Sequence, residues 1–257
     1  MKWLIVNKLS LNILKTKIII FDINSLVKID IGNDYVVEEC KSYKYLGLIV
    51  DNLLKFDLHI DYITSKIQKR IGAMYRGSSL LPIKYRKMFA NALTLPHCDY
   101  LDTIYGRASK TKLGGLDMLY KKIAKIALGV EMTESSLNVY RDMKWLPLHL
   151  RRQLHLSSYM LKIMHGCSPS NFMHKFFYVS GGSREGSRCN LSIPKLSTLK
   201  QFYYLGAKAW NNLPLNLRTM NDSKIFSKLY KTQLLNSITE DPNYAVNNSF
   251  DYFYKLT

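Results

Sequence analysis

Apolar residues set the rhythm of the chain from about residue 57 onward. Ile60, Ile63, Ile67, Ile71 and Met74 recur in steps of three and four, the spacing that lines one face of an α-helix. Asp57 stands where an N-cap belongs, and Lys66, Lys69 and Arg76 fall on the opposite face. Pro82 breaks the pattern. A second helix, around 83–95, carries Lys84, Arg86 and Lys87. A third, around 112–128, turns Leu116, Leu119, Ile123 and Ile126 inward and Lys121, Lys122 and Lys125 outward, with Gly129 as its C-cap. A fourth, around 147–165, starts at Pro147 and carries Arg151 and Arg152. Residues 201–211 form an aromatic helix with Phe202, Tyr203 and Trp210. Asp222 or Ser223 caps a last helix that runs to about Ser237.

Before residue 57 the pattern differs. Leu4, Leu11 and Leu14, spaced by seven and three, read as the end of a helix over 1–14, and the abrupt start before Trp3 reads as a truncated domain. Residues 17–21 read as a short apolar strand. Ile29 and Ile31 alternate with Lys28 and Asp30, the strand period. Gly32-Asn33-Asp34 suits a hairpin turn, and 35–37 returns antiparallel. Residues 45–50 form another strand, apolar apart from Gly47, and Asp51-Asn52 ends it. The expected class is α+β. A small antiparallel part over 1–56 precedes a helical bundle over 57–179 and a flexible Gly/Ser/Arg linker at 180–192. An aromatic helical region over 193–240 and a tail over 241–257 without clear period, expected to be partly disordered, complete the chain.

Composition narrows the class of partner. At 257 residues, 47% hydrophobic and 22% charged, the chain can bury a real core and is not disordered throughout. Lys plus Arg number 37 against 19 acidic residues, a formal net charge of +18. Such an excess favours polyanions: DNA, RNA or an acidic membrane face. A lysine-rich surface from a biased genome gives the same number. Cys40, Cys98, Cys167 and Cys189 are far apart and form no CxxC pair, and His165-Gly166-Cys167 is a close His–Cys pair that falls short of the four ligands of a zinc site, so buried free thiols are expected in preference to zinc. Lys8, Lys15 and Lys17 interrupt the apolar N-terminus, so no signal peptide is expected. The apolar runs are too short to span a bilayer, and the expected location is intracellular.

Four ordered motifs carry a resemblance. Asn7-Lys8-Leu9-Ser10-Leu11-Asn12, with Lys15-Thr16 and Ile18-Ile19-Ile20-Phe21, resembles the segment that follows the catalytic YxDD hairpin in non-LTR (LINE-type) retrotransposon reverse transcriptases. Tyr43-Lys44-Tyr45-Leu46-Gly47, with Asp51 and His59-Ile60, resembles the primer-grip hairpin and first thumb helix of that family. Trp145-Leu146-Pro147-Leu148 with Arg151-Arg152, and Phe202, Gly206, Trp210-Asn211-Asn212-Leu213-Pro214 and Arg218, resemble two motifs nearer the end of the same reading frames. Jockey-, CR1- or RTE-like elements fit best. The resemblance implies a C-terminal fragment of an RNA-directed DNA polymerase: a palm remnant followed by a thumb.

That family holds an RNA–DNA hybrid by its backbone, and lysines neutralise phosphates without reading bases. The expected contacts are Lys44, Tyr45, Leu46, Gly47, Lys66, Lys69, Arg76, Lys121, Lys122, Lys125, Arg151 and Arg152. Each lysine singly is as readily a solvated face of a bundle. Gly47 either lets the hairpin approach a primer terminus or marks a bulge or tight packing point. His59 is read as structural, and Trp145 and Trp210 as core. Polymerase chemistry needs two metal ions held by carboxylates, and the sequence has no Asp-Asp pair. Glu38-Glu39 would point to opposite faces of a strand. Asp99 and Asp102 are helix-spaced but lack a third ligand. No catalytic or metal residue is therefore expected on this chain, although the parent enzyme would use magnesium. Expected partners are RNA, RNA–DNA hybrid or target DNA, with upstream polymerase and endonuclease segments if the product is longer. The location would be the nucleus or a cytoplasmic ribonucleoprotein. Two other readings stay open: a host-retained RNA- or protein-binding module without catalysis, and a non-functional pseudogene fragment.

Overall fold

The computed structural model describes residues 2–12, 15–21, 28–30, 36–167, 175–176, 178, 190–195, 201–241 and 244. It is an α+β chain, mainly helical, with two small antiparallel hairpins. A short helix α1 (Lys2–Val6) precedes β1 (Lys28–Asp30) and β2 (Val36–Glu38), which pair with Ile29 opposite Val37. Strands β3 (Ser42–Tyr45) and β4 (Leu48–Asp51) form the second hairpin, with Tyr45 opposite Leu48. The helices follow as α2 (Asp57–Ser78), α3 (Ile83–Leu93), α4 (Leu95–Asp99), α5 (Asp102–Tyr105), α6 (Lys110–Leu128), α7 (Ser136–Met143) and α8 (Leu148–Met164). Helices α9 (Gln201–Asn211), α10 (Leu215–Arg218) and α11 (Ser223–Glu240) complete the described part.

The helical periodicity translates directly into packing. Ile60, Ile63, Ile67, Ile71 and Met74 are the buried stripe of α2, and it packs chiefly on α6 through Leu113, Leu116, Tyr120 and Ile123. Gly129 caps α6 in the left-handed region, as its lack of a Cβ allows. Asp222 caps α11 by accepting the Lys224 and Ile225 N–H groups at 2.7 and 3.1 Å. Trp145 and Trp210 are core residues. Trp145 stacks on Tyr120 and donates its indole N–H to Asn91 at 2.7 Å.

The buried apolar residues fall mainly into two clusters. One joins Leu48 and Phe56 to α2, α3, α6 and α7. The other joins α8 to α9 and α11 through Leu150, Leu154, Trp210, Phe226 and Tyr230. Helix α8 contributes to both, with Leu148 in the first and Leu150 in the second.

Several local expectations are corrected. The first helix ends at Val6, and the stretch expected as a strand at 17–21 makes a single bridge, Ile18 to Glu39. The strand expected over 45–50 is broken at Leu46-Gly47, both with positive φ, into a two-residue hairpin turn. Asp57 lies in the first turn of α2 and is not its cap. Asp51 organises that entry, its carboxylate accepting the N–H groups of Leu53, Lys55 and Phe56 at 3.1, 2.9 and 2.7 Å. Helices α4, α5, α7 and α10 have no counterpart in the sequence expectations. Of the cysteines, Cys98 is buried, Cys40 half-buried and Cys167 exposed, all three free. Cys189, the turn at 32–34, most of the 180–192 linker and nearly all of the tail lie outside the described residues.

Candidate functional site

Two elements far apart in pattern, the β3–β4 hairpin and α2, converge on one phenol. Lys44 leaves the exposed side of β3 and donates its Nζ to Tyr62 Oη at 2.9 Å. The same ammonium lies 4.4 Å from the centre of the Tyr62 ring. Lys66, one helical turn after Tyr62, places its Nζ 4.5 Å from that centre, within the range of cation–π attraction. Hydrogen bonding from the two ammonium groups draws the Tyr62 phenol down to about 8.

His59 fixes the hairpin to the helix beneath this point. Its ring is 2% exposed, and Nδ1 accepts the Ile49 N–H at 3.3 Å. It stacks near Tyr62, with centroids 6.3 Å apart. Burial, then the charge of Lys44, lowers its pKa to about 4. His59 is thus a neutral structural acceptor, as the sequence suggests.

The turn itself is braced. Leu46 and Gly47 have φ of 46° and 88°, and Tyr100 donates its hydroxyl to the Leu46 carbonyl at 2.6 Å. A Cβ on residue 47 would lie 3.2 Å from the Tyr100 ring. Gly47 therefore serves both the turn and a tight contact, while Tyr45 and Leu46 remain exposed.

The remaining expected cations divide. Lys69 and Arg76 are exposed along α2. Lys122 on α6 reaches the Tyr75 ring at 5.6 Å, beside the α2 end that carries Arg76. Lys121 is half-buried, close enough to favour the charged form of Asp117. Arg70, which the sequence set omits, donates to the Lys66 carbonyl at 2.8 Å. With Lys66 it opposes protonation of His97, whose pKa is lowered first by burial. These groups make Lys44, Lys66 and Arg70 neighbours on the side of α2 that meets the hairpin and α4.

Three expected contacts point elsewhere. Lys125 was placed on an outer face, but it is buried and its Nζ donates to the Met132 carbonyl at 2.6 Å. The reason is that the end of α6 is enclosed, with every residue from Ile123 to Ala127 buried. Arg151 clasps both carboxylate oxygens of Asp99, with Nη2 to Oδ2 at 2.6 Å. Arg152 is 1% exposed and lies among the charges of Asp102 and Asp117.

This second polar cluster also explains Asp99 and Asp102. His155 on α8, missed in the sequence because it is remote from both, brings its Nδ1 to 2.6 Å from Asp102 Oδ2. The ligand atoms of Asp99, Asp102 and His155 lie within 4.8 Å of one another. They line a cavity of about 690 Å³ with Leu101, Ile104, Tyr159 and Phe202. The group does not suit a metal ion. Both Asp99 oxygens are engaged by Arg151, and the His155–Asp102 separation is shorter than the ~3.3 Å between two ligands of a tetrahedral site at bond lengths near 2 Å. The two arginines balance the two aspartates, so a dication would add uncompensated charge. Burial still raises Asp102 above the ordinary carboxylate range, against the opposing pull of His155 and Arg152.

The last motif of the sequence is structural. Asn211 accepts the Leu191 N–H at 2.7 Å and donates to the Leu191 carbonyl at 2.8 Å. Arg218, itself nearly buried, donates to the carbonyls of Leu213 and Asn211 at 2.8 and 2.6 Å and to Asn190 Oδ1 at 2.8 Å. Trp210 and Leu213 fill the core beside this clamp. Gly206 lies where a Cβ would meet Met160 Sδ at 2.6 Å.

Among the described residues, no helix is long and apolar enough to cross a membrane. No family model and no solved structure matches the chain significantly. A curated protein does: the chain is 25% identical over 114 residues to a probable RNA-directed DNA polymerase from transposon X-element of Drosophila melanogaster. That stretch is 42% of this chain and 12% of the relative's length. The chain is thus similar, over part of its length, to a transposon-encoded reverse transcriptase.

Proposed function

We propose that this chain is the nucleic-acid-gripping part of a non-LTR retrotransposon reverse transcriptase, binding RNA or an RNA–DNA hybrid by its backbone. The observation that carries the reading is the convergence of exposed Lys44 and half-buried Lys66, from separate elements, on the Tyr62 ring. Among the described residues neither is bound by a carboxylate. Lys69 and Arg76 extend the positive charge along α2, and Lys122 adds to it from α6. The net charge of +18 supplies a long-range attraction for polyanions. The partial similarity to a transposon polymerase supports the same reading.

Catalysis belongs to other parts of such a polymerase. The sequence contains no Asp-Asp pair, and the Asp99, Asp102 and His155 group is held by its own arginines. Magnesium would be bound by the upstream polymerase segment, and the chain would act in the nucleus or a cytoplasmic ribonucleoprotein.

The test is binding of a fluorescent RNA–DNA hybrid by anisotropy between 50 and 200 mM salt. Engagement of about four to six phosphates should weaken affinity by roughly 10²- to 10³-fold across that range. A flat salt response overturns the proposal. Tight preference for one RNA sequence would favour a host-retained module. In the same tubes, the chain should add no nucleotide to a primed template with magnesium.

A further inference from the structure

We infer that Lys44, Tyr62 and Lys66 form a clip for a single phosphodiester, in which the neutral phenol pre-positions two ammonium groups. The inference rests on the proposed nucleic-acid reading and deepens it, because it names the ligand group and the residue that organises its site.

Two ammonium groups that share one small space repel each other, and surface lysines lose rotamer freedom when they are held. A carboxylate commonly relieves both effects, but it cancels one charge and competes with any incoming anion. Here the organiser is Tyr62. Its hydroxyl accepts from Lys44 at 2.9 Å, and its ring faces both ammonium groups at 4.4 and 4.5 Å. Asp61, the adjacent acid, is drawn away by Lys112, whose Nζ lies 2.6 and 2.7 Å from its two oxygens. The pair therefore keeps a net charge of +2 while being gathered. Two donors suit the two non-bridging oxygens of one phosphodiester.

The site is also held from below. His59 stacks near Tyr62 and receives the Ile49 N–H, so β4 and α2 keep their separation. Arg70 approaches the same side through the Lys66 carbonyl, with His97 on α4 beside it. Among the described residues, the charged and titratable groups around the phenol are Lys44 on β3, His59, Asp61 and Lys66 on α2, and Arg70 with His97 next to Lys66. Hydrogen bonds and charge from Lys44 and Lys66 favour phenolate, consistent with a Tyr62 hydroxyl lowered to about 8. Phenolate would neutralise one ammonium and take its hydrogen bond. Phosphate binding and Tyr62 ionisation should therefore exclude each other.

The experiment measures hybrid affinity at pH 7 and pH 9 for the wild-type chain, Tyr62→Phe, Lys44→Gln and Lys66→Gln. Far-UV circular dichroism and urea midpoints check that each substitution leaves the fold intact. Each lysine variant should lose about tenfold in affinity and lower the salt slope by about one. Tyr62→Phe should lose about three- to fivefold at pH 7 with its salt slope unchanged, since both charges remain. Raising the pH to 9 should weaken the wild type about fivefold more than it weakens Tyr62→Phe. Wild-type binding with all three variants unaffected overturns the clip and leaves the broader reading standing. Equal pH dependence in wild type and Tyr62→Phe also overturns it. Failure of the wild type to bind any hybrid overturns both.

Discussion

A histidine that must stay neutral ties stability to pH at the scale of one residue. His59 accepts the Ile49 N–H through Nδ1, and protonation removes that lone pair. Its folded pKa of about 4 lies below the ordinary 6.5, so the neutral form is the folded form. The stabilisation is complete above about pH 6.5 and is lost as pH falls through 4. Allowing for solvent screening, the loss should amount to about 1–3 kcal/mol. His59→Asn keeps an acceptor near the Nδ1 position and cannot be protonated. Urea unfolding at pH 7 and pH 4 should show a smaller acid loss in the variant. An identical loss in both proteins would place the acid sensitivity elsewhere. The same scale shows where sequence reading stops. The helical period revealed that Lys125 departs from the apolar stripe, yet several helices close over the end of α6, and a single-stripe pattern cannot register that. Arg151, Arg152 and His155 acquire their partners from α4 and α5, about fifty residues away, and no local spacing reports such pairs.

Elements were legible in proportion to their length and to how one-sided their burial is. Helices α2 and α6 announced themselves through three- and four-residue steps, because α2 and the first turns of α6 bury a defined stripe, while α8, buried on several sides, was marked by Pro147 at its start. Helices α4 and α5 are only five and four residues long, too short to display a period. The hairpin turn at Leu46-Gly47 was hidden because a leucine occupies its first left-handed position. Tyr100 compensates that backbone with its hydrogen bond to the Leu46 carbonyl, and Tyr100 lies outside any pattern local to the hairpin. The motif around Trp210 was visible as residues, but its role emerges from contacts with the Asn190–Leu191 segment. Asn211 satisfies both main-chain groups of Leu191. Asn211→Ala should therefore cost about 2–3 kcal/mol, since two bonds are lost and partly buried groups are left unpaired. Asn216→Ala, on α10 and exposed, should change stability by less than about 0.5 kcal/mol. Equal midpoints for the two variants in urea would remove the clamp from the account.

At the scale of the whole molecule, charge acts on folding and on binding with opposite signs. An excess of 37 basic over 19 acidic side chains makes the compact state repel itself. The described ion pairs that relieve it are few and partly local: Lys112 with Asp61, Arg151 with Asp99, and Arg141 with its neighbour Asp142. Added monovalent salt screens repulsion between separated surface charges, with a Debye length near 10 Å at 0.1 M and near 3 Å at 1 M. It screens the half-buried Arg151–Asp99 pair less. Thermal stability should therefore rise by a few degrees between 0.05 and 0.5 M sodium chloride, while affinity for a hybrid falls by orders of magnitude. The two measurements together separate a functional excess of charge from ion pairing as the main electrostatic term. If the midpoint falls with salt, ion pairs outweigh repulsion and the positive surface is largely compensated. If it rises while hybrid binding stays constant, the charge is real but contacts no phosphate. The opposed response is what a surface kept uncompensated for a polyanion must show, because the polyanion supplies the counter-charge that the fold itself leaves out.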